Sequence, residues 1–274
     1  MMGNFIYSYK KNNSQYKNYS SRKIDKFIKK ILIVSFIIFL IGVLWFLLIS
    51  PCIIPASIDI NGFNLLSRAD ILKAAGISSG TSFIFIDARK VRNSLSNHYL
   101  IESATVDKVF PNKVSINIKP RQAVAVVHAK INGKLKPLYF DHKGVIFQIG
   151  EKAGVNPPSW LPVITGIFNE TDKLGLGTRF FSAYQPLFAR LRMINDEDHS
   201  IWNAISEIEV VSKNESVFDI RLYPVYNLPK ILMSSDINRD NIIYALVMAE
   251  KSMELDRVPD YIDVRSGSGV LYFK

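Results

Sequence analysis

Four histidines, His98, His128, His142 and His199, and one cysteine, Cys52, are the side chains with which this 274-residue chain could most readily hold a soft metal or titrate near neutrality. Their spacing supports neither role. No His-Glu-x-x-His helix pattern and no paired cysteines occur, so a zinc site has no ligand set. There is no Gly-x-Ser-x-Gly nucleophile turn and no glycine-rich phosphate cradle ending in Lys-Ser/Thr. Ser-x-x-Lys matches such as Ser14 to Lys17 and Ser20 to Lys23 fall in the basic N-terminal tail, read as cytosolic and so away from any extracytoplasmic substrate. Asp141 and His142 are adjacent, but neighbouring side chains on a turn point apart, and Asp141 followed by Gly144 is turn chemistry. The chain therefore reads as noncatalytic, with no catalytic residue, cofactor or metal. As the sole cysteine, Cys52 cannot form an intramolecular disulfide, so the fold must rest on its core. Proline before that cysteine argues against lipoprotein processing at Ile49-Ser50-Pro51-Cys52.

The elements that organise the chain begin with an uncharged run of 20 residues, Ile31 to Ser50. About 20 apolar residues, rising about 1.5 Å each, cross a hydrocarbon core of about 30 Å. The run is too long for the apolar region of a cleaved signal peptide. Ahead of it, residues 1–30 carry eight Lys and Arg against Asp25, a net +7 of the chain's +10. Such a cluster stays on the cytoplasmic side of the inner membrane, leaving the C-terminal part outside. The tail is rich in Asn, Tyr, Ser and Lys and reads as disordered and lipid-facing. The pI of about 9.5 thus reflects a membrane tail, and no recognition motif accompanies it to suggest nucleic acid.

About 220 residues follow, enough for two modest cores. The first unit reads strand (Ser57 to Ile60), turn at Asn61-Gly62, helix (Ser67 to Ala75) stopped by Gly76, then a helix from Asp87 to about Asn97 with Val91 and Leu95 inward. Two strands close it, with Ala104, Val106 and Lys108 alternating to Phe110, a turn at Pro111-Asn112, and Val114, Ile116 and Ile118 on one face. Beyond Ala123 short strands and turns predominate: Ala123 to Ala129, Pro137 to Phe140, Val145 to Ile149, Ala204 to Val211 and Val217 to Leu222. A Pro-rich insertion stands at Asn156-Pro157-Pro158. Helices are expected over about Ser182 to Ile194, with Leu187, Leu191 and Ile194 buried, and over about Asn238 to Leu255. The extended segments Tyr261 to Val264 and Val270 to Phe273 end the chain, the last with nothing after it to cover its edge.

Ile58-x-x-Asn61-Gly62, Val109-Phe110-Pro111-Asn112-Lys113-Val114 and Arg121-Gln122-Ala123-Val124-Ala125 resemble the POTRA (polypeptide-transport-associated) domain of the FtsQ/DivIB family of bitopic bacterial cell-division proteins. Tyr139-Phe140-Asp141-x-x-Gly144-Val145-Ile146-Phe147, Leu161-Pro162-x-Ile164-x-Gly166 and Tyr261-Ile262-Asp263-Val264-Arg265 resemble that family's β domain, in the same order. Pro120, Ala123 and Ser266 depart from the family pattern, where an acidic residue, a proline and an aromatic are common. The expected fold is α+β: a disordered tail (1–30), a transmembrane helix (31–50), a POTRA-like β-α-α-β-β domain (56–122) and a mixed, mainly antiparallel β domain with flanking helices (123–274).

The resemblance implies a noncatalytic divisome scaffold in the cytoplasmic membrane at the division septum. Its implied partners are FtsB/DivIC-like and FtsL-like bitopic division proteins, with other divisome components meeting the POTRA-like domain. An unpaired strand edge offers backbone groups in register, which a partner satisfies by adding a strand. The last strand suits this, and the expected partner-binding residues are Arg265, Ser266, Ser268, Gly269 and Leu271. Glycine and serine leave room for a backbone, Leu271 fills a pocket and Arg265 meets a carboxylate. The same residues also suit an ordinary hairpin turn with Arg265 in an internal salt bridge. A POTRA-type chaperone or translocation module for exported chains is the alternative, and an envelope enzyme with an unfamiliar site a further one. No downstream run of barrel strands supports the chaperone reading.

Overall fold

The computed structural model describes residues 25–47, 55–150, 157–167, 174–214 and 217–273. The expected tail through Ile24, the last three residues of the expected span, Cys52 and Asn156 lie outside the described residues. Two compact units emerge, one made of Met1–Ile58, Ser79–Asp87 and Lys108–Val114, the other of Asp59–Ser78, Ala88–Asp107 and Ser115–Lys274.

In the first unit, helix α1 (Asp25–Leu47) is long and apolar enough to cross a membrane. Apolar side chains are exposed all round it, from Phe27 through Leu47. A helix of a soluble core would bury at least one stripe. The helix starts six residues before the uncharged run, so Asp25–Lys30, expected in the disordered tail, are helical and carry Lys26, Lys29 and Lys30. Nothing in this stretch breaks the i to i−4 ladder, since it contains neither Pro nor Gly. The same unit holds a 3-10 turn, Phe83–Phe85, and the tip of a strand hairpin with a cis Phe110–Pro111 bond.

The POTRA-like region has a three-stranded sheet in the order β1 (Ser57–Asn61), β3 (Lys113–Pro120), β2 (Ile101–Val109). Val114, Ile116 and Ile118 of the central β3 are fully or nearly fully buried, as their alternation predicts. Helix α2 (Arg68–Ala75) starts where the Ser67 hydroxyl accepts the Asp70 N–H and stops at Gly76 in the left-handed region. Helix α3 (Ala88–Ser96) buries Val91 and Leu95 at four-residue spacing.

Further along the second unit, β4 (Ala125–Ile131), β5 (Lys134–Phe140) and β6 (Ile146–Ile149) form an antiparallel meander. A six-stranded sheet follows, in the order β12 (Val270–Tyr272), β11 (Tyr261–Asp263), β10 (Lys230–Ser234), β9 (Phe218–Pro224), β8 (Ile205–Ser212), β7 (Ile164–Thr165). It is mixed: β10 with β11 and β7 with β8 run parallel, the remaining pairs antiparallel. The segment around β7 sews the two sheets together. Val126 N–H donates to the Pro162 carbonyl at 3.0 Å, and Ile208 N–H to the Val163 carbonyl at 2.8 Å. Helices α4 (Gln185–Asp198) and α5 (Arg239–Ser252) contribute Leu187, Phe188, Leu191, Ile194 and Ile242, Ala245, Ala249 to one continuous core with the sheets. The Asn238 side chain accepts the Asn241 N–H while Asn241 returns a bond to the Asn238 backbone, a reciprocal cap that opens α5.

Two motif glycines follow from close backbone approach. Gly62 and Gly166 both have φ near +80°, and a Cβ on either would run into a carbonyl oxygen, that of Ile118 and that of Val210 respectively. Only glycine tolerates both the left-handed region and the missing space.

Candidate functional site

The six-stranded sheet determines where a partner strand could dock. Its β7 edge is occupied by β4, and the far side of the meander is covered where Gly177 N–H donates to the Ile146 carbonyl at 2.7 Å and Ile146 N–H to that of Thr178 at 2.9 Å. Among the described residues no strand lies beside the outer edge of β12. On its inner side β12 pairs antiparallel with β11, Tyr261 opposite Tyr272, Ile262 opposite Leu271 and Asp263 opposite Val270. The Tyr272 carbonyl also accepts the Asp260 N–H at 2.8 Å, so Tyr272 turns its backbone groups inward. By the alternation of an antiparallel ladder, Leu271 presents its N–H and C=O outward.

Side chains on the two faces of β12 have different company. Leu271 shares a face with buried Ile262 and packs on the main core. On the opposite face Tyr261 and Tyr272 stack with ring centres 4.4 Å apart and planes 7° from parallel, which stiffens the β11–β12 pair. Val270, Tyr272 and Phe273 remain exposed. Gly269 lies under α5: a Cβ there would stand 2.8 Å from the Met248 methyl. Tyr244, one turn before Met248, and Val247 beside it are exposed apolar residues of α5. Met248 thus lies against the turn that leads into β12.

Arg265 is held by its own domain. Its Nε donates to both carboxylate oxygens of Asp263, at 2.9 and 3.1 Å, and Nη1 to Asp219 at 2.8 Å, where Lys213 also sits at 2.7 Å. The hydrogen bonds from Arg265 hold the Asp263 carboxyl below its ordinary value, and those to Asp263 and then Asp219 push the guanidinium above its own. The arginine side chain is still 38% exposed, so one edge of it faces solvent. Ser266 and Ser268 are exposed in the β11–β12 turn, their hydroxyls 3.3 Å apart. The five predicted residues are therefore brought to one end of one sheet, with Arg265 engaged internally and Leu271 half-buried.

Sequence reasoning missed β10, the central strand on which β11 is laid, because Lys230–Ser234 is short and follows a proline. It also passed over Met248, which sits against Gly269, although α5 carries apolar residues outside its buried Ile242, Ala245, Ala249 stripe. The histidines are scattered, with His98 stacked on Tyr99 and His199 against Trp160. Among the described residues no cluster of His, Cys, Asp or Glu could hold a metal.

Residues 55–121 match the family model of the FtsQ-type POTRA domain. The chain is 27% identical to the cell division protein DivIB of Bacillus cytotoxicus over 152 residues, 56% of each chain. It is 24% identical to DivIB of Bacillus anthracis over 207 residues, 76% of this chain and 70% of that one. Over 70 residues it is 37% identical to the cell division protein FtsQ of Bradyrhizobium diazoefficiens, 26% of this chain and 20% of the relative.

The FtsQ-type POTRA match and the relatives named DivIB and FtsQ support the FtsQ/DivIB family for this chain. The chain spans little more than half the length of the first of these relatives. As in the sequence-based expectation for an FtsQ/DivIB chain, one N-terminal apolar helix, a POTRA domain and a further β-rich domain with helices follow in order.

Proposed function

We propose that the protein is a noncatalytic, single-pass divisome scaffold that captures an FtsB/DivIC-like partner, travelling with an FtsL-like one, by strand addition along β12. The observation that carries this reading is the outer edge of β12, beside which no strand lies among the described residues, with the Leu271 backbone turned outward and Met248 of α5 against Gly269. Backbone pairing supplies affinity in such a complex and alternate side chains supply register. Ser266, Ser268 and Gly269 admit the partner backbone, Leu271 fixes the strand they lead into, and the solvent-facing edge of Arg265 meets a partner carboxylate. The relatives, named cell division proteins, support the process in which this occurs.

In this reading residues 56–122 and 123–274 act as successive domains outside the inner membrane, the first receiving other divisome components. The basic tail stays cytoplasmic and the protein concentrates at the septum. Tethering in one bilayer raises the partners' effective concentration, so a modest edge interaction suffices. The control exerted is on septal peptidoglycan synthesis, through assembly and not through chemistry.

The test is co-purification of the coiled-coil partner from membranes with Ser268→Glu, alongside cell length after depletion and the position of a fluorescent fusion. Loss of partner from a folded variant, filaments on depletion and a midcell band are the expected results. Full co-purification by the folded variant overturns the site; normal division with uniform envelope fluorescence overturns the scaffold.

A further inference from the structure

Four large apolar side chains project from the POTRA-like region without cover: Ile84 at 47% exposure, Phe85 at 77%, Val109 at 52% and Phe110 at 63%. They belong to two turns that the fold locks side by side. Lys108 Nζ donates to the Ile86 carbonyl at 2.9 Å and stands 4.5 Å over the Phe83 ring, joining the 3-10 turn of Phe83–Phe85 to the β2–β3 hairpin tip. Phe83 points inward and is buried, whereas the next two residues point out. Core packing explains Phe83; it does not explain Ile84, Phe85 or Phe110. Aromatic and aliphatic side chains left together at a tip mark a surface that something apolar covers.

The chain itself indicates what covers it. The strand that leads out of the membrane helix begins at these same two turns: Ala56 N–H donates to the Thr81 carbonyl at 3.0 Å, Ser57 N–H to that of Asn112 at 2.8 Å, and Pro55 bridges to Ser82. Only residues 48–54 separate α1 from Pro55. Fully extended, eight steps at about 3.4 Å reach about 27 Å, so the tip is tethered within that distance of the end of the span. Exposed Lys108 and Lys113 flank the aromatic residues, as suits a surface of anionic phospholipid headgroups. We infer that Ile84, Phe85, Val109 and Phe110 form an interfacial foot that sits in the outer leaflet of the bilayer crossed by α1, with the lipid headgroup and upper acyl region as its ligand. The foot orients the POTRA-like region against the membrane; it adds no chemistry. The inference rests on the single-pass reading proposed above.

Its test uses the full chain in liposomes of phosphatidylethanolamine and phosphatidylglycerol, with Cys52→Ser as background and a fluorescent label at Phe85→Cys, Phe110→Cys or Phe39→Cys in separate preparations. All three positions are exposed, so labelling leaves the core intact. Doxyl groups high on the acyl chain should quench the Phe85 and Phe110 labels at least about twofold more than iodide does, as expected of side chains at the headgroup boundary. The Phe39 label reports the span by deep doxyl quenching. A quenched Phe39 label with Phe85 and Phe110 open to iodide overturns the foot and leaves the span. Shielding of Phe85 from both quenchers, the signature of a protein contact such as a second copy, also overturns it. A Phe39 label that lipid does not quench overturns both readings.

Discussion

The Arg121 guanidinium closes on the Asp141 carboxylate in a contact sealed from solvent, with the two side chains 7% and 0% exposed. Arg121 also donates from Nε to the Tyr99 carbonyl at 2.9 Å, and Asp141 accepts the N–H groups of Lys143 and Val145 at 3.0 and 2.9 Å. One ion pair thus joins the POTRA-like motif that begins at Arg121 to the β-domain turn that begins at Asp141. Both partners have further bonds, which is what makes a buried pair tolerable.

Removing one partner should therefore be costly. Asp141→Ala leaves a buried guanidinium without its counter-charge and two backbone N–H groups without their acceptor, and breaking such a pair costs about 3–5 kcal/mol. Urea denaturation should show a lower midpoint. Arg121→Lys keeps the charge but cannot reach both Asp141 and the Tyr99 carbonyl, so it should recover only part of the loss. Wild-type stability in Asp141→Ala would refute the role assigned to the pair.

Gly62 and Gly76 separate two costs of replacing glycine. Both have positive φ, but a Cβ at Gly76 meets nothing within 4 Å whereas at Gly62 it meets the Ile118 carbonyl. Gly76→Ala should cost about 1 kcal/mol from backbone conformation alone, and Gly62→Ala more than that. Equal losses in thermal unfolding would show that β3 moves aside without penalty.

Asp263 predicts a pH dependence. Its folded pKa is below the ordinary value, chiefly through the Arg265 hydrogen bonds, so the unfolded chain takes up this proton first as pH falls. The stabilisation is complete above the ordinary carboxylate pKa of about 3.9 and is lost as pH drops through the folded value. Arg265→Gln should remove this part of the acid limb while changing the neutral-pH partner interaction only at its rim. A stability profile between pH 2 and 6 that keeps its wild-type slope in Arg265→Gln would contradict the linkage.

Leu271 allows strand addition to be separated from packing. Its N–H faces outward, so Leu271→Pro removes a donor that only an added strand uses, and edge positions of this kind accept proline. Leu271→Ala removes the side chain and keeps the donor. Capture of the division partner should fall at least about tenfold further in Leu271→Pro than in Leu271→Ala, as for a lost backbone pairing of more than 1.4 kcal/mol. Equal capture by the two folded variants would place the partner elsewhere.

Local pattern sufficed wherever a period or a cap is spelled out by neighbouring residues. Val114, Ile116 and Ile118 alternate, Val91 and Leu95 recur by four, Ser67 and Gly76 bracket α2, and an uncharged run marks α1; each is a property of a few consecutive residues. The Asp141 turn was legible for the same reason, with Gly144 N–H bonded to the Asp141 carbonyl at 2.8 Å. Long-range pairing was not legible. Nothing near Lys230–Ser234 announces that it will carry β11 in parallel, that Arg121 will meet Asp141, or that Arg265 will meet Asp219 across 46 residues. The sequence by itself determined the membrane-length helix, the element order apart from β10 and the glycines of the tight turns, because those follow from steric limits and hydrophobic period along the chain. The tertiary structure alone decided on which strand β11 is laid and which aromatic residues remain uncovered, because a sheet neighbour or a patch is defined by residues that are distant in sequence.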